Sequence, residues 1–206
     1  MTARRPLMVV VAGPNGSGKT TLTRLVLAHE WLRGTAYINP DEIAQRELGG
    51  WNDVEHVLQA ARLADERRAL YLSRGENFAY ETVFSTPGRV SFIEQAKSAG
   101  YFIRLYFVGT SDPLINIARV KARVAEGGHD VPTDKIVARY HRSMANLKLV
   151  LPIVDRAYIY DNSIENKPAI RWARLRDGHL IRAHEIPMPS WVAEALTAAL
   201  EPPRAT

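Results

Sequence analysis

The segment Gly13-Pro14-Asn15-Gly16-Ser17-Gly18-Lys19-Thr20 has the spacing GxxxxGK[ST] and is followed by Thr21. Glycines in such a run let several backbone N–H groups turn inward around an anion, and a helix beginning behind them adds its dipole. The lysine sets a cation against the β and γ phosphates of a nucleotide, and the threonine hydroxyl is an oxygen ligand for Mg²⁺. The run follows the apolar stretch 7–12 and opens a helix, the setting that turns this pattern into a site. Residues 13–21 are therefore expected to hold ATP or GTP with Mg²⁺, with Thr20 on the metal and Lys19 on the phosphates.

Phosphoryl transfer needs an acceptor to be held and oriented, more than it needs covalent help from the protein. Asn39-Pro40-Asp41-Glu42 lies directly after a second strand, at a carboxyl end where parallel sheets bind ligands. Asp41 suits acceptance of a hydroxyl proton or the holding of a Mg²⁺-bound water; it equally suits an ordinary helix cap. Glu81-Thr82 falls inside the apolar run 78–84, where an acid is costly unless paired or turned towards a polar site. Ser85 and Thr86 follow, placed either to contact a substrate or to cap the next helix. Arg119, Arg123 and His129 flank Gly127-Gly128, as a lid over residues 119–133 closing on a triphosphate would require; a solvated helix face reads the same way. Arg139 and Arg142 begin another basic face with the same ambiguity.

The elements that must position these groups alternate between strands and helices. Strands are expected at 7–12, 36–38, 78–84, 101–108 and 157–160. Helices are expected at 19–28 with Leu22, Leu25 and Val26 on one side, and from an Asn52 cap to 73 with Val54, Val57, Leu58, Ala61 and Ala64 at helical spacing. Further helices are expected at 89–98, from Asp112-Pro113 towards 124, at 133–149 and at 190–200. Asp177-Gly178 between 169–175 and 180–183 reads as the turn of a hairpin. The alternation implies an α/β, P-loop kinase-like three-layer fold. Its mostly parallel five-stranded sheet would carry a C-terminal hairpin and helix at about 168–201, in one domain over 1–206.

Composition narrows the chemistry. There is no cysteine, which excludes disulfides, thiolate metal sites and a cysteine nucleophile, and the six histidines form no HExxH pair. The net charge of +5 favours anionic partners. Nucleotide phosphates satisfy that preference, whereas no RNA-module signature or run of interleaved basic and aromatic residues argues for nucleic acid. Arg4 and Arg5 precede an apolar run too short for a secretion signal, and no stretch is long enough to cross a membrane, so a cytoplasmic protein is expected. Glu47-Leu48-Gly49-Gly50 lacks the serine and glutamine of an ABC-type signature, and the strand 101–108 ends in Gly109 without an acid, which removes that class of ATPase.

Together the glycine loop, Asn39 to Glu42, Tyr80-Glu81-Thr82, the segment Arg123 to Pro132 and Tyr160-Asp161-Asn162-Ser163 resemble the zeta toxin family of P-loop kinases over about residues 6–163. Family members of known activity phosphorylate the 3′ hydroxyl of UDP-N-acetylglucosamine-type sugars with ATP or GTP. The resemblance implies that Asp41 is the base at the sugar hydroxyl and that Glu81, with Thr82 and Thr86, contacts the sugar nucleotide. It implies Arg123 as a lid cation, with Arg119 as the competing choice, and Asn162 near the nucleotide base. A second lid cation falls near His129 or Asp130, where Arg139 or Arg142 would have to substitute. A protein antitoxin is implied on the same ground.

Overall fold

The computed structural model describes residues 5–29, 32, 34–51, 53–128, 130–184 and 187–200, the last three by backbone alone. Arg4, Asn52 and His129, three residues of interest in the sequence, lie outside that set.

Strand β1 (Leu7–Ala12) is buried on both faces and forms the centre of the sheet. Its valines split by the two-residue pleat: Val9 and Val11 pack with Leu22 and Val26 of α1 (Lys19–Leu27), while Met8, Val10 and Ala12 face the larger core. Beside it lie β2 (Ala36–Ile38), β3 (Phe78–Thr82), β4 (Phe102–Gly109) and β5 (Arg156–Asp161) in the parallel order β2-β3-β1-β4-β5. Strands β6 (Ile170–Arg176) and β7 (His179–Ala183) extend the same sheet antiparallel, as the expected C-terminal hairpin extension, and bring it to seven strands. Their turn, Asp177-Gly178, has both residues at positive φ, as a two-residue hairpin demands.

Helices α2 (Pro40–Glu47), α3 (Val54–Arg74), α4 (Pro87–Ser98), α6 (Thr133–Val150) and α7 (Ser190–Leu200) bury residues in the larger core, opposite α1. Helix α5 (Pro113–Ala125) closes a small core of its own with α6, built on Ile117, Val120, Val131 and Ile136. That core packs Val120 and Val131, both within 119–133, against α6. Because β1 to β5 run parallel, the turns after all five emerge at one edge of the sheet. The phosphate loop, Asn39 to Asp41, residues 83–86, residues 110–112 and Asn162 are thereby brought together.

Helix periodicity misplaces two faces. Leu25 is 66% exposed although Leu22 and Val26 are buried, because the short α1 meets the sheet along a narrow stripe. In α3 the buried line is Ala60, Ala64 and Arg68, while Val54 and Leu58 are 74% and 56% exposed. Alanines allow the close approach to the sheet, and Arg68 is accommodated because its guanidinium lies 5.1 Å from the Tyr80 ring and 5.9 Å from that of Phe92. The cap of α3 is Asp53, whose side chain accepts from Glu55 N–H at 2.8 Å. Strand β3 stops at Thr82, two residues early, because Phe84 takes φ 61 and turns the chain out of the ladder.

Asp155 staples the far edge of the sheet. Its carboxylate accepts from Ile103 N–H at 2.8 Å and pairs with Arg5 at 2.8 Å and Lys97 at 3.0 Å. Burial opposes its ionisation, but those three donors outweigh burial and hold the carboxyl below its ordinary 3.8. A depressed folded value stabilises the protein above the unfolded value and loses that contribution as pH falls through the folded one. Asp155→Asn is therefore expected to cost about 2 kcal/mol in urea melts at pH 7, with the difference from wild type shrinking as pH drops below the carboxylate range.

Candidate active site

The phosphate loop is held from outside. Asn116 Nδ2 donates to the Asn15 carbonyl at 2.5 Å and its Oδ1 accepts from the Thr110 hydroxyl. On the other side Asn162 Nδ2 donates to the Ser17 carbonyl at 2.9 Å, and the Asn162 carbonyl accepts from Arg119 at 2.8 Å. Gly18 enters α1 at φ 96 with the Asn162 amide pressed against it, so a side chain there would face both strain and collision. Within the loop, Pro14 O accepts from Ser17 N–H at 3.3 Å and from Lys19 Nζ at 3.0 Å. The Gly13 N–H donates to Thr82 O of β3 at 3.3 Å, tying the loop's start to the neighbouring strand.

Lys19 is buried, and burial pulls its ammonium below the usual lysine value. Glu81 and Asp41 oppose that shift, whereas Arg123 and Arg139 reinforce it. The lysine thus sits between the two acids singled out in the sequence and two of its arginines. Glu81 is directed by the pleat of β3 towards α1, where its carboxylate accepts from Thr23 at 2.9 Å, Tyr37 at 3.2 Å and Thr20 at 3.4 Å. Burial beside this carboxylate drives the Tyr37 phenol well above its ordinary value, and Asn39 Nδ2 donates to the same phenol at 3.0 Å. Asn39 also caps α2, its Oδ1 accepting from Asp41 N–H at 2.9 Å. Asp41 is thereby set on the first turn of α2, exposed at the cleft.

Thr82 points the other way from Glu81, and its hydroxyl accepts from Phe84 N–H at 3.2 Å. The turn that follows is fastened by α6: Asn146 donates to the carbonyls of Phe84 and Thr86 at 3.0 and 3.2 Å, Arg142 to that of Ser85 at 3.0 Å, and Ser143 to that of Val83. Thr86 is the N-terminal cap residue of α4 without a side-chain bond in that role. Arg142 is therefore engaged with the backbone. Arg139 instead reaches the loop at Asn15 Oδ1, 3.5 Å away.

Two chambers of about 370 and 360 Å³ adjoin across Asp41, Glu81, Thr82 and Arg139. The first is bounded by the loop from Asn15 to Thr21 together with Arg119 and Arg123; the second by Trp51, Arg68, Arg89, Arg142 and Thr86. Gly128 packs on Arg123, where a Cβ would lie 2.6 Å from the arginine Cγ, so the glycine pair leaves room for that side chain. Among the described residues no group of three or more His, Asp and Glu side chains is placed to hold a metal by itself. The Thr20 hydroxyl beside Glu81 offers hard oxygens, which suits Mg²⁺ completed by phosphate oxygens.

Sequence reasoning missed Asn116, Thr23, Tyr37 and Asn146. Asn116 carried a signal, a polar side chain beside Ile117 and four residues before Val120 on the buried face of α5, where it must find partners. The others carried none, since their partners lie on distant segments.

A cleft with a phosphate cradle on one wall and an acid on the other is that of a P-loop phosphotransferase acting on hydroxyl groups. The zeta toxin family model matches residues 1–167, and the chain belongs to that family. An uncharacterized protein of Haemophilus influenzae is 29% identical over 132 residues, 64% of this chain and 91% of the relative. Among solved structures, a chain of the PezAT chromosomal toxin–antitoxin system of Streptococcus pneumoniae superposes with TM-score 0.58 at 21% identity, covering 82% of this chain and 72% of that one. The AvrRxo1-ORF1:-ORF2 complex with ATP gives TM-score 0.67 at 17% identity, covering 98% and 66%. A putative kinase from Chloroflexus aurantiacus gives 0.51 at 19%, covering 67% and 77%. These likenesses show a shared fold. Among the described residues no helix is long and apolar enough to cross a membrane.

Gly18→Ala is expected to weaken Mg-ATP binding by about tenfold or more in isothermal titration calorimetry and to cost about 1–2 kcal/mol of stability. Unchanged affinity would show that the loop tolerates a side chain against Asn162.

Proposed function

We propose that this kinase transfers the terminal phosphoryl group of ATP or GTP to a hydroxyl of a small molecule, with a UDP-N-acetyl-amino sugar as the favoured acceptor. The observation that carries the reading is the meeting of two chambers at Asp41, the first lined by Lys19 and the phosphate loop, the second cationic. The nucleotide phosphates fill the first chamber against the loop N–H groups and Lys19. Burial of that lysine keeps it short of competing water and aimed at phosphate. Arg123 and Arg139 meet the charge on the transferring group, and Arg119 with Asn162 borders the nucleoside end. Mg²⁺, bound to the phosphates at Thr20, would neutralise charge on the β and γ oxygens.

The acceptor enters the second chamber, where Arg89 and Arg139 suit a molecule that itself carries phosphates, and Trp51 offers a ring face. Asp41 accepts the proton of the attacking hydroxyl and holds that oxygen in line with the γ phosphorus. Glu81 orders Thr20, Thr23 and Tyr37 and so acts on the metal side of the site; its contact with a sugar nucleotide, implied by family resemblance, is made across the same boundary between chambers. The PezAT toxin–antitoxin system and the two-protein AvrRxo1-ORF1:AvrRxo1-ORF2 complex support a protein partner for this chain as well, and the family resemblance makes that partner an antitoxin that blocks the cleft.

Phosphorus NMR with Mg-ATP and UDP-N-acetylglucosamine should show ADP and a new phosphomonoester resonance. Asp41→Asn should lower kcat by about 10²–10⁴ while leaving Mg-ATP affinity unchanged. Lys19→Ala should abolish transfer with an unaltered circular dichroism spectrum. ATP binding without any phosphorylated sugar would remove the acceptor assignment, and full activity of Asp41→Asn would remove the base.

A further inference from the structure

The sheet face on the α1 side is unevenly covered. Helix α1 packs on β1, β3 and β4, and beyond them β6 turns Arg171 and Arg176, and β7 turns Arg182, outward to solvent. Strands β4 to β7 contribute six arginines and a single acid, Asp161, whose carboxylate is taken up on the opposite face by Trp191 at 2.7 Å. Strand register arranges the face in rows. Arg104, Arg156 and Arg176 stand side by side; the next row is Tyr106, Tyr158, Arg174 and Arg182; Tyr160 and Arg171 make a third.

Neighbours in such a row are only about 4.8 Å apart at the backbone, and like charges directly opposite one another destabilise a sheet. Asp177, in the β6–β7 turn, gives partial relief by approaching Arg156 at 3.8 Å. The rest of the array is organised by rings. Tyr106 and Tyr158 stack with centroids 4.8 Å apart, the Arg174 guanidinium lies 5.9 Å from the Tyr158 ring, and Arg104 and Arg156 flank Phe102 at 5.6 and 5.7 Å. Guanidinium groups held against rings are pre-oriented, so less rotamer freedom is lost when an anion binds.

We propose that this face docks the backbone of a single-stranded nucleic acid, at a place separate from the phosphate-transfer cleft. Exposed Arg171, Arg176 and Arg182 beside the half-buried rings of Tyr158 and Tyr160 match what such a strand requires, phosphate neutralisation combined with ring contacts to bases. An acidic polypeptide would satisfy the arginines alone and make no use of the tyrosines. The sequence shows no interleaved run because these residues are spread over positions 102–182 and only strand pairing assembles them.

The test is fluorescence anisotropy with a labelled oligouridylate of about twelve nucleotides over a salt series. Binding is expected to weaken linearly on a log–log plot against salt. Arg176→Glu/Arg182→Glu, at exposed positions, should weaken it by about tenfold or more and flatten the slope by about 1.4, two contacts at about 0.7 each. Mg-ATP affinity of the double variant should match wild type, which certifies its fold, and Lys19→Ala should bind the oligonucleotide as wild type does. Absence of binding, equal binding by wild type and the double variant, or displacement of the RNA by polyglutamate at equal charge would each overturn the assignment; the last would transfer the face to an acidic protein partner.

Discussion

A loop made largely of glycine has few side chains with which to hold its own shape, and everything in this site depends on that shape being held. Two asparagines do it from outside. Asn116 on α5 bonds the carbonyl of Asn15, and Asn162 after β5 bonds that of Ser17. With those carbonyls engaged, the loop's N–H groups are left to point at an anion. Each asparagine is fixed in turn, Asn116 by Thr110 and Asn162 by its backbone bond to Gly109 and by Arg119. The cradle therefore reports on the integrity of β4, β5 and α5, all of them remote in sequence.

Charge is arranged around the same cradle. Lys19 is buried between the two acids and the arginines of α5 and α6, and burial outweighs the two acids in pulling its ammonium below the usual lysine value. A triphosphate would tip that balance strongly towards the charged form. Glu81 meanwhile is satisfied by three hydroxyls, which makes an acid in the middle of a buried strand tolerable and keeps Thr20 oriented. Helix α6 adds rigidity on the acceptor side by fastening four successive carbonyls after β3.

The two faces of the sheet have different duties. One carries the large core under α3, α4, α6 and α7, with alanines admitting α3 closely enough for Arg68 to be buried against Tyr80 and Phe92. Burial lowers that arginine's pKa to about 10, and Arg89 nearby adds to the effect. The other face is covered by α1 and then opens into arginine and tyrosine rows. A chain with a net charge of +5 places much of its excess there, away from the catalytic cleft.

The sequence alone determined what short-range geometry encodes. The phosphate loop, the strand before it, the helix after it, the Asp-Gly hairpin and the positions of Asp41 just after a strand and Glu81 within one were all legible, because each depends on residues within a few positions of one another. Helix faces were less legible: Leu25, Val54 and Leu58 have the right spacing but the wrong neighbours, since burial is decided by what packs opposite. The bonds of Arg142 and Thr82 to backbone around Phe84 were not legible either, because their partners are set by the turn after β3. Only the tertiary structure could decide that Asn116 and Asn162 brace the loop, that Glu81 belongs with Thr20, Thr23 and Tyr37, and that six arginines share one face. Those facts rest on hydrogen bonds and strand register between segments tens of residues apart, which no local pattern of residue types contains.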